Sequence, residues 1–248
     1  ATMSILVTRP SPAGEELVSR LRTLGRAAYH APLIDFTPGT GLAALPDLLA
    51  QLQQGDLVFV LSKHAVRYAH SYLQRSAIAW PRELNYFAIG RPTALRLHTA
   101  TGLPVAYPQP PETSESLLLL PELRNIAGKQ ALILRGNGGR ELLAETLTQR
   151  GVSVTLSECY QRCAIHYNGA EQSAHWRRQG ISTLVVTSGE MLQQLYDLVP
   201  DYDRQMWLLH CRLIVVSERL ATLAQELGWK DIQVAESADN DALIRALQ

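Results

Sequence analysis

The chain repeats one pattern at an offset of 126 residues, and this repeat limits the possible fold more than any other feature of the sequence. The run Ala131–Arg140 reads as a buried strand that ends in a glycine-rich turn, and an amphipathic pattern then continues to Gly151. The same order runs from Ile5 to Gly25, and Ser188 follows Ser62 by the same 126 residues. Two copies of one unit therefore predict an internally duplicated α/β protein.

Apolar runs of strand length alternate with helical patterns along the whole chain. Strands are expected near 5–9, 57–61, 86–89, 131–134, 152–160, 183–187, 212–216 and 232–234, with one extended piece between Gly25 and Phe36. Helices are expected near 12–24, 46–53, 93–100, 114–120, 140–150, 189–198, 218–227 and 239–247, with another that begins after Ser62. Several strands are apolar on both faces. The pattern predicts two parallel-sheet domains covered by helices, in a flavodoxin-like or Rossmann-like manner.

Charge and composition argue against several classes of partner. Lys plus Arg equals Asp plus Glu at 23 each, so no overall positive field favours nucleic acid or an anionic membrane. No apolar run approaches the roughly 18 residues of a membrane span, and no basic-then-apolar leader precedes Ile5. We therefore expect a cytoplasmic protein. The three cysteines suit buried or half-buried free thiols and do not form a metal-binding pattern, so no metal is expected.

Residues that follow the predicted strands are the candidates for a binding site, because parallel sheets bind ligands at the carboxyl ends of their strands. They are hydroxyl residues, glycines and basic residues: Arg9 and Pro10, Ser62 and Lys63, Gly90 to Thr93, Arg135 to Arg140, Ser188 and Gly189, and Ser217 to Arg219. Helix starts offer free N–H groups, so this edge would suit a ligand with several carboxylates or phosphates. For Ser62 or Ser188 alone, ordinary helix capping is the simpler explanation.

The glycine-rich turn does not have the pattern of a nucleotide-binding loop. Glu141 stands where a dinucleotide fingerprint requires its third glycine, and no G-x-x-x-x-G-K-[ST] sequence is present. The sequence therefore argues against a nucleotide-dependent transferase.

Short stretches in a fixed order carry a resemblance to a known family. They are Ile5–Pro10, Gly25, Pro32–Ile34, Leu61–Val66, Ala88–Ala94, Leu134–Glu141, Glu158–Arg162 and Val186–Gly189. In their order and spacing the chain resembles the uroporphyrinogen-III synthases of the enterobacterial type, nearly from end to end. One departure is Glu218, which lies in a turn where many relatives carry a Gly-x-Thr-like sequence; its charge would repel an acidic substrate.

The resemblance implies a domain organisation that differs from the sequence repeats. Residues 1–37 and 166–248 would form one discontinuous α/β domain, and residues 38–165 would form the other. The two would be joined by a two-stranded linker at about 33–36 and 160–164, with the active site in the cleft between the domains. The sequence by itself leaves a simpler division near residue 127 open.

The resemblance also implies a reaction and roles for particular residues. Hydroxymethylbilane, a linear tetrapyrrole with eight carboxylates, would lose water, invert ring D and close to uroporphyrinogen III without any cofactor. Tyr160 would hydrogen-bond to or protonate the departing hydroxyl. The expected substrate-binding residues are Arg9, Ser62, Lys63, Thr93, Arg135, Gly136, Arg140, Ser188 and Gly189. We expect a monomer that meets hydroxymethylbilane synthase only transiently. The alternative is a non-catalytic two-domain binding protein for a small polyanionic ligand.

Overall fold

The chain divides into two compact units, and each is described separately. In the computed structural model, which describes residues 3–248, unit 1 comprises Ala1–Phe36 and Cys163–Gln248 and unit 2 comprises Thr37–Arg162. The first two residues, which the predicted first domain includes, lie outside the described residues.

Strands and helices alternate along both units. In chain order the strands are β1 (Ser4–Val7), β2 (Ala27–His30), β3 (Ile34–Pro38), β4 (Leu57–Val60), β5 (Asn85–Ala88), β6 (Val105–Ala106), β7 (Gln130–Gly136), β8 (Ser153–Ala164), β9 (Ile181–Val185), β10 (Arg212–Val215) and β11 (Ile232–Val234). The helices are α1 (Ala13–Thr23), α2 (Leu45–Gln51), α3 (Lys63–Arg75), α4 (Arg91–Thr101), α5 (Ser114–Leu118), α6 (Leu142–Gln149), α7 (Gly169–Arg178), α8 (Gly189–Leu198), α9 (Asp201–Met206), α10 (Glu218–Leu227) and α11 (Asn240–Ala246). Short 3₁₀ turns lie at Pro121–Leu123 and Leu208–His210.

Each unit contains a parallel sheet. The strand order is β2-β1-β9-β10-β11 in unit 1 and β3-β8-β7-β4-β5-β6 in the sheet of unit 2. Neighbouring strands pair in parallel in the first sheet and from β8 to β6 in the second. The parallel α/β class predicted from the alternating pattern is therefore confirmed. β3 and β8 contain the two points at which the chain passes from one unit to the other.

The two sheets have the same spatial order when strands 126 residues apart are matched. β2 begins at Ala27 and β8 at Ser153, and this offset also relates the starts of α3 and α8 at Lys63 and Gly189. Matching β1, β2, β9, β10 and β11 to β7, β8, β4, β5 and β6 converts one strand order into the other.

Both sheets bury apolar residues on their two faces. In β1, Leu6 belongs to one buried cluster, whereas Ile5 and Val7 belong to another on the opposite face. In β4, Val58 and Phe59 divide between two clusters in the same way. Because successive side chains of a strand point to opposite faces, these strands are apolar throughout and need a helical layer on each side.

The structure corrects several element boundaries expected from the sequence. The single extended piece before Phe36 is two strands, β2 and β3. Helices α7 and α9 were not expected, because α7 has a mostly polar sequence around one buried Trp176 and α9 has no buried residue. α6 begins at Leu142, so Arg140 lies in the loop before it and not in the helix. No helix within residues 3–248 is long and apolar enough to span a bilayer.

Candidate active site

The sheet of unit 2 has a topological switch point between β4 and β7. On one side of β4 the next strands are β5 and then β6, whereas on its other side they are β7 and then β8. The chain therefore extends the sheet in opposite directions from this point. Loops that leave neighbouring strands at such a point diverge, so a crevice opens at their carboxyl ends. A hollow of about 300 Å³ lies here. It is lined by Leu61, Ser62, Ile89, Arg135, Gly136 and Tyr160, with residues 112–114 and 138–140.

Two hydroxyl groups meet in this hollow. The Oγ of Ser62 lies 2.9 Å from the Oη of Tyr160. Ser62 follows β4 and caps α3, since its Oγ accepts a hydrogen bond from the N–H of Ala65 at 3.1 Å. The cap fixes the serine rotamer, and the serine in turn fixes the position of the phenol oxygen. Ser62 therefore caps α3 and contacts the Tyr160 hydroxyl at the same time.

A glycine makes room for the Tyr160 ring. The parallel register pairs Arg135 with Glu158 but Gly136 with Tyr160, so β8 carries one extra residue at this point. A Cβ at position 136 would lie 2.6 Å from Cε2 and Cζ of Tyr160 and 2.9 Å from its Oη. Gly136 is not at positive φ, so close approach of the ring, and not backbone conformation, is the reason for glycine here.

Aromatic side chains from α3 pack against the same tyrosine. The ring centroid of His64 lies 5.6 Å from that of Tyr160, and the ring of Tyr68 stacks at 6.0 Å. Burial lowers the pKa of His64, and the positive charges of Arg67, Lys63, Arg96 and Arg162 lower it further. His64 is therefore neutral near pH 7.

Basic side chains near the hollow already have acidic partners. Arg135 is 8% exposed, and its Nη1 lies 3.3 Å from Oε1 of Glu141. Arg140 is exposed and forms a bidentate pair with Glu115 at 2.8 and 2.9 Å. The pKa of Glu115 is lowered by this pairing. Because surface ion pairs are weak, the exposed Arg140 can exchange Glu115 for a ligand carboxylate at low cost.

The start of α4 lies against a carboxylate from the same unit. Gly90 is the N-cap residue of α4 and provides no side chain to cap its N–H groups. The carboxylate of Glu112 is in direct contact with the position that a Cβ of Gly90 would take. An acidic group thus lies where the positive end of a helix would attract an anion.

Two predicted residues of unit 2 are near the hollow without lining it. Lys63 is exposed in the first turn of α3, and Thr93 is 5% exposed in the first turn of α4. Neither belongs to the lining of the hollow. The structure brings together Ser62, Arg135 and Tyr160 at one strand edge, together with Gly136 and Arg140.

The remaining predicted residues belong to unit 1. Arg9 follows β1, and its Nη1 donates to Oδ1 of Asn240 at 2.7 Å, while its carbonyl oxygen lies 2.8 Å from Nε2 of His30. Burial lowers the pKa of Arg9, although the negative charges of Asp239 and Glu16 act in the opposite direction. This contact ties the end of β1 to α11.

A larger hollow of about 630 Å³ lies at the starts of α8 and α10 in unit 1. Ser188 and Gly189 line it together with Ser217 and Arg219. Ser188 accepts a hydrogen bond from the N–H of Met191 at 3.2 Å, so it caps α8 as Ser62 caps α3. Glu218 lies in the first turn of α10 and does not line the hollow.

Sequence reasoning missed the contribution of residues 112–114 to the unit 2 hollow. Thr113 caps the short helix α5, since its Oγ1 accepts from the N–H of Ser116 at 3.2 Å. A Thr-x-x-Ser sequence after several prolines is a capping signal that could have been noticed. The contact between Glu112 and Gly90 has no such signal, because it joins residues that are distant in the sequence.

The cysteines are unpaired, as expected, but one of them is not buried. Cys159 and Cys211 are buried, whereas Cys163 is exposed near the end of β8. Within residues 3–248, no group of three or more His, Cys, Asp or Glu side chains is arranged to hold a metal ion.

Comparison with known proteins gives the family of the chain. Residues 15–245 match the family model described as Uroporphyrinogen-III synthase HemD. The chain is 66% identical over 246 residues to the uroporphyrinogen-III synthase of Escherichia coli (strain K12), covering 99% of this chain and 100% of that protein. It is 48% identical over 193 residues to that of Proteus mirabilis, covering 78% of this chain and 97% of the relative.

Solved structures support the fold. A uroporphyrinogen III synthase from Thermus thermophilus is similar with a TM-score of 0.64 at 19% identity, covering 100% of this chain and 99% of that one. A uroporphyrinogen-III synthetase from Helicobacter pylori 26695 is similar with a TM-score of 0.56 at 18% identity, covering 100% of both chains. From the family model and the close relatives, this chain belongs to the uroporphyrinogen-III synthase family.

Proposed function

We propose that the chain converts hydroxymethylbilane to uroporphyrinogen III, with Tyr160 of unit 2 as its catalytic residue. The observation that carries the assignment of the site is the hydrogen bond between the hydroxyls of Ser62 and Tyr160, located at the switch point of a parallel sheet. Membership of the family supports the reaction.

The proposed first step is departure of the hydroxyl group of the substrate. When Ser62 donates its proton to Oη of Tyr160, the phenol proton can point towards the departing oxygen. Ser62 in turn accepts from the N–H of Ala65, so three donors act in series and polarise one another. The C–O bond breaks as the pyrrole nitrogen supplies electrons, and the oxygen leaves as water with the proton it receives.

The later steps need positioning more than they need reactive groups. The azafulvene formed by loss of water is attacked by the substituted carbon of ring D, which gives a spiro intermediate. That intermediate reopens and recloses with ring D inverted, and a proton is lost from the ring carbon. Electrons come from the pyrroles at each step. The protein contributes by holding the chain of rings in one conformation and by excluding water.

Carboxylate recognition is the second proposed task of the site. In unit 2 we assign it to Ser62, Lys63, Thr93, Arg135, Gly136 and Arg140, and in unit 1 to Arg9, Ser188 and Gly189. The capping of α3 and α8 by serines and the weak surface pairing of Arg140 with Glu115 support this assignment. A substrate carboxylate at Arg140 would replace the carboxylate of Glu115.

We further propose that the two units are separate domains and that the chain arose by duplication, with each domain assembled from parts of both sequence copies. The 126-residue offset between equivalent elements and the common strand order support this proposal. We also propose that the protein acts as a cytoplasmic monomer without a cofactor and meets hydroxymethylbilane synthase only transiently. Light scattering during gel filtration tests the monomer, and a dimer mass would contradict it.

The test of the function is an isomer assay. Purified protein is mixed with freshly prepared hydroxymethylbilane, and the products are oxidised to porphyrins and separated by chromatography. We expect isomer III, because closure in free solution does not invert ring D. Isomer I alone from folded protein would reject the enzyme and leave the binding-protein alternative.

A further inference from the structure

A groove between α3 and α4, on the outer surface of unit 2, is separate from the hollow at the strand ends. Its volume is about 510 Å³, which is within the usual range for small-molecule sites. Val66, Leu95 and Ala100 provide apolar surface in the groove, and Leu95 is 53% exposed. Arg67, Arg96 and His70 provide its charged and polar groups.

The two helices that form the groove carry only positive charge. α3 and α4 together contain five Lys and Arg residues and no Asp or Glu: Lys63, Arg67, Arg75, Arg91 and Arg96. The chain as a whole has equal numbers of acidic and basic residues. Within residues 3–248, neither Arg67 nor Arg96 forms an ion pair with a carboxylate. The groove is therefore a local concentration of uncompensated positive charge.

The other unit shows that the fold does not require this charge. The equivalent helices of unit 1 are α8 and α10, whose starts lie 126 and 127 residues after those of α3 and α4. They contain four acidic residues and one basic residue: Glu190, Asp197, Glu218, Glu226 and Arg219. The same position in the same sheet topology thus has the opposite sign of charge.

His70 adds a hydrogen-bond donor to the groove. The Nε1–H of Trp80 donates to Nδ1 of His70 at 3.1 Å. In the neutral ring the proton is then on Nε2, which makes that nitrogen a donor. Two guanidinium groups and this N–H are suited to carboxylates, and the apolar floor is suited to a planar ring.

The groove is connected to the proposed catalytic tyrosine by stacked side chains. The guanidinium carbon of Arg67 lies 5.2 Å from the ring centroid of Tyr68. The ring of Tyr68 lies 6.0 Å from that of Tyr160. A ligand of several linked rings that reaches Tyr160 could therefore continue along α3. The hollow at Tyr160, at about 300 Å³, is smaller than the groove.

We propose that the α3–α4 groove is a binding site for a carboxylate-bearing pyrrole ring, with Arg67 and Arg96 holding the acid side chains and Leu95 contacting the ring. This proposal rests on the proposed function, since it assigns the site to the same octacarboxylate substrate and its product. It adds Arg67 and Arg96 as residues that control affinity without touching the reacting atoms.

The binding test uses uroporphyrin I, an unreactive octacarboxylate. Its dissociation constant is measured by fluorescence titration for wild type and for Arg67→Glu/Arg96→Glu. We expect the double reversal to weaken binding at least tenfold. The matched control is Arg124→Glu/Arg178→Glu, which makes the same change of net charge at exposed positions outside α3, α4 and the groove. Its dissociation constant should stay within twofold of wild type.

Equal weakening by both double variants would overturn the proposal, because the effect would then be long-range electrostatics. No weakening by Arg67→Glu/Arg96→Glu would overturn it as well. Kinetics with hydroxymethylbilane separate this outcome from failure of the proposed function. The groove variant should raise KM at least tenfold with a kcat within twofold of wild type, and its product should remain isomer III. If wild-type protein gives isomer I alone, the reaction is rejected, while the uroporphyrin titration still decides the groove.

Discussion

Replacement of Gly136 by alanine tests whether the position of the Tyr160 hydroxyl matters for catalysis. The added Cβ would lie 2.6 Å from two ring carbons of Tyr160. Since non-bonded carbons rest about 3.5 Å apart, the ring must move by about 0.9 Å. A shift of this size takes the phenol away from the geometry in which its oxygen lies 2.9 Å from Ser62.

The expected loss of catalytic rate is large for the addition of a single methyl group. Misplacement of a catalytic group by about 1 Å can lower a rate by about 100-fold. We expect Gly136→Ala to lower kcat by about ten- to a hundredfold, or about 1.4–2.7 kcal/mol of barrier. The loss of stability should be about 1–3 kcal/mol, because the substitution overpacks a close contact. Rates are measured by the isomer assay, and the fold is checked by thermal unfolding followed by circular dichroism.

A neighbouring glycine provides the control. A Cβ at Gly138 would meet no protein atom within 4 Å, and its φ is not positive, so Gly138→Ala should leave Tyr160 in place and retain the wild-type kcat. KM is compared separately, because Gly138 also lines the hollow. In a Tyr160→Phe background, Gly136→Ala should lower kcat by a much smaller factor than it does in wild type, because the hydroxyl has already been removed. A folded Gly136→Ala protein with wild-type kcat would refute the reasoning. Additive losses in the double variant would show that Gly136 acts independently of the phenol.

Three further predictions follow from the same geometry. Tyr160→Phe should lower kcat at least tenfold, about 1.4 kcal/mol of barrier, with unchanged thermal unfolding; a wild-type rate would exclude the hydroxyl from the mechanism. Glu112→Gln should lower KM about two- to fivefold in steady-state assays, because a negative charge at a helix start is worth about 0.3–1 kcal/mol and competes with substrate carboxylates there. An unchanged or higher KM would mean that Glu112 does not compete. Iodoacetamide at pH 8 should modify Cys163 in the native protein and spare Cys159 and Cys211, because burial raises the pKa of Cys159 to about 11 and that of Cys211 to about 12. Mass spectrometry of the peptides checks this, and rapid labelling of all three thiols would contradict it.

The sequence predicted the residues at strand ends well and their contacts poorly. Ser62 and Arg135 were identified because apolar runs stop just before them. A buried parallel strand always gives such a run, and its end marks the start of the loop. The contact of Tyr160 with Gly136 could not be predicted, since it depends on an extra residue in β8 that leaves no trace in hydrophobic periodicity. Arg9 shows a further limit: its partner Asn240 is 231 residues away, and neither residue carries a pattern that indicates the other.

The strand order of unit 1 constrains when this part of the chain can fold. β1 is an interior strand of its sheet, between β2 and β9, and Ser4 is paired with Ile181. During synthesis β1 must therefore wait, with its apolar side chains exposed, until Ile181 and the rest of β9 have been made. Unit 2 is one continuous segment and can become compact earlier during synthesis. Strand β1 therefore needs protection from aggregation until its partner strand β9 has been made.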